Sequence, residues 1–268
     1  MIVPAAGTHT PFSNAKPLQR GAGASVFLFA SRPPVPERSA SLQKSTLLLW
    51  DIDGTLIASG NAGMHALRTG LQAAFGLEGS LDDIDFAGRT DRWIVRRIFE
   101  KFNVPYTDEN FTRCIDGYIA ALPSALANPR ARVLPGVREL LAVAANRQGL
   151  TQGLLTGNLR RGAQAKLGHH GLWDFFPFGA FADDGEFRNE LSPHALRRAH
   201  EHTHARFQPD RVWVIGDTPH DIECGRVIGA RTLAVATGGH SLEQLAGHAP
   251  DALLPDLADH TAFWKIVA

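Results

Sequence analysis

The stretch Thr46-Leu-Leu-Leu-Trp-Asp-Ile-Asp-Gly-Thr-Leu-Ile57 runs a short apolar segment straight into two carboxylates, Asp51 and Asp53. Thr46–Trp50 reads as a buried strand. Buried charge is costly unless something compensates it. Residues two apart in an extended chain face the same side, so Asp51 and Asp53 address one region while Ile52 packs the other way. Gly54 then lets the chain turn sharply and lets a ligand approach the backbone.

Downstream of this strand, apolar segments alternate with amphipathic ones. Strands are read at 150–157, within 175–183, at 211–217, at 231–238 and at 251–257. Helices are read at 137–149, 160–171, 192–207 and 219–229. The helix at 192 is expected to open with Ser192 as N-cap and Pro193 in the first turn. Strands that are apolar throughout and alternate with helices predict an α/β fold. Its form is a Rossmann-like parallel sheet with helices on both faces. The segment 61–127 has no strand-like run, and its apolar residues recur at helical spacing. It predicts an all-α insertion after the first strand. The expected organisation is a core of residues 45–60 and 131–268 and a helical insert of residues 61–130.

Residues 1–44 differ from the rest. They are rich in Pro, Ser, Gly and Ala, with five basic residues and one acid, Glu37. Composition predicts a disordered extension there, ahead of an organelle-targeting peptide.

The chain has 268 residues, 44% of them hydrophobic, ample for a sizeable core. Lys+Arg and Asp+Glu both number 27, so no global field favours nucleic acid or an anionic membrane. No apolar run approaches the roughly 20 residues that span a bilayer. Cys114 and Cys224 lack metal-site spacing, and a reducing cytoplasm is the simplest setting.

Three strands end in polar residues of special type: DIDGT at 51–55, LTGN at 155–158 and IGDTPHD at 215–221. In an open parallel sheet, ligands bind beyond the carboxyl ends of the strands, so these segments are expected to converge. Asp51, Asp53, Asp217 and Asp221 in one place would repel one another. Hard oxygen donors without His or Cys point to Mg²⁺ as the compensating cofactor. With a cation present, the site accepts an anion such as phosphate.

In that order, DIDGTL, TGN and GDTPHD resemble the signature motifs of the haloacid dehalogenase superfamily of phosphohydrolases. The resemblance covers about residues 45–260. The helical insert resembles the cap of the phosphoglycolate phosphatase and β-phosphoglucomutase branch. It implies that Asp51 is the nucleophile and forms an aspartyl phosphate. It implies that Asp53 is the general acid and base. Thr156, Gly157 and Asn158 would hold the phosphoryl oxygens. Asp51, the Asp53 carbonyl and Asp217 would hold Mg²⁺, with Asp221 as a further ligand or anchor. The family also places a cation between the second and third motifs. Arg188 is the residue expected there, against a surface Arg paired with Glu186 or Glu190; Lys166 is the fallback, against a solvated helix position.

Other residues carry weaker signals. Arg89, after a Gly in an expected loop of the cap, is a candidate substrate contact. Arg92, Arg96 and Arg97 read as the wet face of a helix. Asn61 and His65 read as helix surface near the core–cap junction. His200 and His204 share a helical face but lack a third ligand, so a solvated helix end is expected. Trp93, Trp173, Trp213 and Phe175 read as core, and Cys224 as buried filler.

The leading expectation is a Mg²⁺-dependent phosphatase of a small phosphorylated metabolite, phosphoglycolate by resemblance, working as a cytoplasmic monomer or homodimer without nucleic acid or membrane. The alternatives are phosphoglucomutase-like transfer to a sugar and a catalytically silent binding protein on the same fold. Dehalogenation is disfavoured because it does not need Asp53.

Overall fold

The computed structural model describes residues 45–267. The expectation for residues 1–44 lies outside the described residues.

Strand β1 (Thr46–Trp50) is wholly buried, and its alternation feeds two separate apolar clusters. Leu48 and Trp50 join one, with Leu140 and Leu141 of α4 (Val137–Asn146) and Phe263 of α9 (His260–Val267). Leu47 and Leu49 join the other, with Leu191, Ala195 and Ala199 of α6 (Leu191–Thr203). A strand whose side chains alternate between two dry faces must be covered by helices on both. Each fully buried Leu contributes about 1.5–3 kcal/mol. The Trp50 ring stacks on Phe263 at 5.6 Å between centroids.

Five further strands extend the sheet: β4 (Leu150–Leu155), β5 (Gly179–Ala180), β6 (Val212–Gly216), β7 (Arg231–Val235) and β8 (Ala252–Leu254). Their spatial order is β5-β4-β1-β6-β7-β8, and every pairing is parallel. The chain builds outward from β1 through β4 to β5, then returns to the other side of β1 for β6 to β8. Beyond the carboxyl ends of β1 and β6 the order reverses, and such a switch point opens a crevice. Register aligns the neighbouring ends there. Trp50 lies opposite both Leu154 and Ile215, so Asp51, Thr156 and Asp217 emerge close to one level.

Between β1 and α4 the chain makes three helices: α1 (Ala62–Phe75), α2 (Asp91–Lys101) and α3 (Asp108–Leu126). They share an apolar cluster of their own, with Leu67, Ile98, Phe99, Ile115 and Leu122 buried in it. Thr90 and Thr107 cap α2 and α3 by accepting the N–H groups of Trp93 and Asn110. At the base of this insert, β2 (Ile57–Ala58) pairs antiparallel with β3 (Arg132–Val133). That ribbon was not expected, because two-residue strands leave no periodic signal.

Two local expectations are corrected. Ser192 is not the N-cap of α6: the helix starts at Leu191, after a short 3₁₀ turn at Arg188–Glu190, and Ser192 lies buried inside the first turn. The Glu190 carboxylate closes the preceding loop instead, accepting from the N–H groups of Glu186 and Phe187 at 2.9 and 3.1 Å. Of the four aromatics read as core, only Trp213 is buried. Trp93, Trp173 and Phe175 are half-buried at cluster edges, and the Arg89 guanidinium lies 4.6 Å over the Trp93 ring.

Candidate active site

The carboxyl ends of β1, β4 and β6 and the three insert helices enclose a cavity of about 380 Å³. Asp51 and Asp217 line its floor, and one carboxylate oxygen each from Asp51, Asp217 and Asp221 lies within 4.8 Å of the others. All three residues are buried. Asp51 and Asp217 follow strand ends. Asp221 sits in the first turn of α7 (Pro219–Val227), where its carboxylate accepts the Thr218 N–H at 3.1 Å and the Thr218 hydroxyl at 2.7 Å. Gly54, at φ 82°, brings its backbone hard against Asp217, since a Cβ there would lie 2.4 Å from the Asp217 Oδ2.

Arg188 answers part of this charge. Its Nη2 donates to Asp51 Oδ1 at 2.8 Å and also to Asp221 Oδ1. The Arg188 carbonyl accepts from the Cys224 thiol at 3.1 Å, which ties the 3₁₀ turn to α7. Its Nε is buried and has no hydrogen-bond partner. One guanidinium against three carboxylates leaves an excess of about two negative charges. The effect shows in the titration of Asp51 and Asp217. Burial pushes Asp51 up to about 6, with Arg188 opposing and Asp221 and Asp53 reinforcing the rise. Burial, then the charges of Asp51 and Asp221, hold Asp217 well above the ordinary carboxylate range. A divalent cation bound by hard oxygens would match that excess, so the donor set fits Mg²⁺.

The Asp53 side chain lies outside this trio. Its Oδ2 accepts from Lys166 Nζ at 2.6 Å and from Asn158 Nδ2 at 2.8 Å. Burial pushes its carboxyl up, but the Lys166 charge and hydrogen bonds from Lys166 and Asn158 outweigh this and hold it below the usual range. Lys166, on α5 (Arg160–His169), is buried rather than solvated. It reaches the site because α5 leaves the end of β4 and carries Lys166 back toward the strand ends, where its Nζ also donates to Asn158 Oδ1 at 2.6 Å. Both cations considered from the sequence thus face carboxylates of the site, Arg188 at Asp51 and Lys166 at Asp53.

The remaining expected residues divide. Gly157 and Asn158 line the cavity. Thr156 is fully buried behind them, its hydroxyl accepting from the Asn158 side chain at 2.9 Å. Gly157 meets the insert directly. Its carbonyl accepts the Asp91 N–H at 2.7 Å, and a Cβ there would lie 2.1 Å from the Arg89 carbonyl oxygen. Arg89 lines the cavity but pairs with Asp85 at 3.1 Å. Asn61 also lines it, while His65 does not. Arg96 is not simply solvated: it grips Glu186 through two hydrogen bonds of 2.5 and 2.6 Å. His204 ends α6, and the Asp51–Asp217–Asp221 trio is the sole metal-capable group among the described residues.

Several neighbours escaped sequence reading. Thr55 donates to Asp217 Oδ1 at 3.2 Å, and Thr237 donates to the Gly54 carbonyl at 2.5 Å. Gly238 and Gly239, after β7, line the cavity. Their signal was the Thr-Gly-Gly at 237–239, one more small polar segment at a strand end. Asp91 opens α2, and its carboxylate accepts the Leu159 N–H at 2.7 Å. Burial pushes Asp91 up to about 6 against the pull of Lys166.

The fold is a doubly wound parallel sheet with an acidic trio at its switch point, roofed by a helical insert, which places the chain among α/β proteins that bind ligands beyond the strand ends. The chain belongs to the haloacid dehalogenase-like hydrolases, whose family model matches residues 48–226. It is 25% identical over 215 residues to the probable phosphatase IndB of Dickeya dadantii, covering 80% of this chain and 90% of that one. It is 27% identical over 226 residues to the pyrophosphatase PpaX of Bacillus cereus, covering 79% and 93%. The crystal structure of a predicted phosphoglycolate phosphatase from Haemophilus somnus superposes with a TM-score of 0.64 at 18% identity, over 84% of this chain and 99% of that one. The chain is thus a hydrolase of this family, and relatives named as phosphatases align along about four-fifths of it. No described helix is long and apolar enough to cross a membrane.

Proposed function

We propose that the protein is a Mg²⁺-dependent phosphatase that hydrolyses a small phosphate monoester through an aspartyl phosphate on Asp51. The single observation that carries this reading is the division of labour between the two carboxylates of the Asp51-Ile52-Asp53 segment. Asp51 faces Arg188 and the acidic trio, whereas Asp53 turns to Lys166 and Asn158 at the cavity wall.

Asp51 attacks phosphorus, and Arg188 lies beside it to orient and neutralise the phosphoryl oxygens with donors not all committed to carboxylates. Asp51, the Asp53 carbonyl and Asp217 would hold Mg²⁺, with Asp221 steadied by Thr218 and Arg188 beside them. When bound, the ion supplies positive charge that offsets the carboxylates and polarises the phosphoryl oxygens. Asp53 gives a proton to the leaving oxygen and then takes one from the hydrolytic water. Lys166 keeps it ionised in the resting site, the form suited to the second step. A dianionic phosphoryl group arriving beside Asp53 raises its affinity for the proton needed in the first. Residues 61–130 serve as the cap that shields the site from bulk water.

The test is hydrolysis of p-nitrophenyl phosphate with Mg²⁺ and with chelator, alongside Asp51→Asn. Turnover should need Mg²⁺ and fall by at least about a thousandfold in the variant. Activity that ignores the chelator, or survives the substitution, overturns the mechanism.

A further inference from the structure

The geometry points to a substrate whose leaving group is an apolar alcohol or phenol rather than a second anionic or heavily hydroxylated group. This inference rests on the phosphatase reading and adds to it the chemistry of the part of the substrate that departs.

The cavity has two unlike ends. Its floor holds Asp51, Asp217 and Arg188, and Asp53 stands at its side. The opposite wall is made by the insert helices, with Met64, Leu67, Ile94, Val95, Ile115 and Tyr118 facing the space. All but Met64 are buried members of the insert's apolar cluster, so the cavity opens directly onto that cluster. A volume of about 380 Å³ lies in the range of pockets that enclose a drug-sized ligand, well beyond a phosphoryl group.

Charge accounting at the outer end argues the same way. A second anionic group on the substrate would need a cation. Lys166 is engaged by Asp53 and by the Asn158 side-chain oxygen Oδ1. Among the described residues, Arg89, at the rim, is the one cation of the lining not held by a carboxylate of the site; its guanidinium is drawn toward Asp85 in a partly exposed pair and lies over Trp93. Asp91, in the same wall, opposes any further negative charge. The part of a hydroxylated leaving group lying against Leu67, Ile94, Val95 and Ile115 would leave its hydrogen bonds unmet, the polar side chains on the insert side being few beside Arg89: Asn61, Asp91 and Tyr118. A hydrocarbon loses nothing there and gains from leaving water.

The experiment measures kcat/KM with saturating Mg²⁺ for ethyl, butyl and hexyl phosphate, phosphoglycolate and inorganic pyrophosphate. Each added methylene should raise kcat/KM about fourfold until the cavity is full. The gain should fall mainly in KM, because the apolar contacts are alike in ground and transition states. Butyl phosphate should then exceed phosphoglycolate and pyrophosphate by at least about tenfold. Turnover with a flat alkyl series, or with either anionic substrate preferred, overturns this inference and leaves the phosphatase reading standing. Absence of turnover on all five, or turnover that persists in Asp51→Asn, overturns both. A second arm uses Met64→Arg, at a half-buried position on α1 that lines the cavity. Placing a free cation in the apolar wall should raise the phosphoglycolate-to-butyl ratio more than tenfold. An unmoved ratio counts against the wall as the reader of the leaving group.

Discussion

Lys166 Nζ donates to Asp53 Oδ2 over 2.6 Å, joining residues 113 positions apart in the chain. The amine is buried, whereas the Asp53 side chain is 36% exposed toward the cavity. The pair sets the charge of the proposed proton carrier before substrate arrives. Removing the amine as Lys166→Met takes away the largest influence opposing burial of Asp53 and leaves the Asn158 hydrogen bond, so its pKa rises. The acid limb of the kcat–pH profile should therefore move to higher pH, by about one unit or more, while Lys166→Arg restores most of the original limb. A profile that drops in height without moving would show that Lys166 only packs.

Arg188 separates Asp51 from Asp221. Arg188→Met leaves three buried carboxylates with no protein cation among them, and breaking a buried pair costs about 3–5 kcal/mol. Urea unfolding in chelator should show a loss of that order, with Mg²⁺ restoring part of it. Lys reaches with one point charge instead of a fork, so Arg188→Lys should keep the fold and lose at least about tenfold in kcat. Stability equal to wild type in Arg188→Met would contradict the geometry.

Asp51, Asp91 and Asp217 also fix how metal-free stability depends on pH. Asp51 and Asp91 titrate near 6 and Asp217 well above the ordinary value of 3.8, so between these limits the folded state binds more protons than the unfolded one. Stability in chelator should accordingly fall as pH rises from about 4 through 6 to 7. At pH 7, Mg²⁺ at a hundredfold excess over Kd should add about 2.7 kcal/mol, roughly 5–10 °C in Tm. Asp217→Asn should raise Tm in chelator at pH 7 and abolish the response to Mg²⁺. Scanning calorimetry at pH 5 and 7 reads both; a metal-free Tm that climbs from pH 5 to 7 would falsify this account.

Arg96 of α2 holds Glu186 in the loop that carries Arg188, and Thr90 of the same helix donates to the Glu186 carbonyl. Both partners of the ion pair are partly exposed, so it adds only about 0.2–1 kcal/mol to stability. Its consequence lies in positioning. Glu186→Gln and Arg96→Met should each raise KM severalfold with a Tm change under about 3 °C, and the double variant should be no worse than either single one. Fully additive effects on KM would mean that the pair does not act as a unit.

Gly157 lets the Arg89 backbone come within reach of the β4 end. Gly157→Ala puts a methyl group where the Arg89 carbonyl now lies, and backbone cannot yield as a side-chain tip does. Overpacking of this kind costs about 1–3 kcal/mol. We expect that loss in chemical denaturation, together with at least a tenfold fall in kcat/KM as the insert is pushed off the site.

The doubly wound sheet was legible in the chain because buried parallel strands are apolar on both faces and helices carry their own periodicity. Two of the polar strand ends were legible because a carboxylate at the end of a buried strand has no structural excuse, and Thr156-Gly157-Asn158 became legible beside them. Asp51, Asp217 and Asp221 could thus be named together before their 4.8 Å cluster was seen. The same reading failed at Ser192, where a capping residue lay one turn too deep, and at β2 and β3, which are too short to carry a pattern.

What only the tertiary structure decided is where the charged side chains of helices and loops end up. Lys166 has the local sequence of a solvated helix position, and it is buried because α5 folds back beneath the insert. Arg89 has the local sequence of a substrate contact, and the fold places it in the cavity lining, beside Asp85 in a partly exposed ion pair. The apolar wall that bears on the leaving group belongs to helices whose periodicity says only that one face is dry. Whether that face meets another helix or an open cavity depends on contacts between segments far apart in the chain, and local pattern carries no record of those.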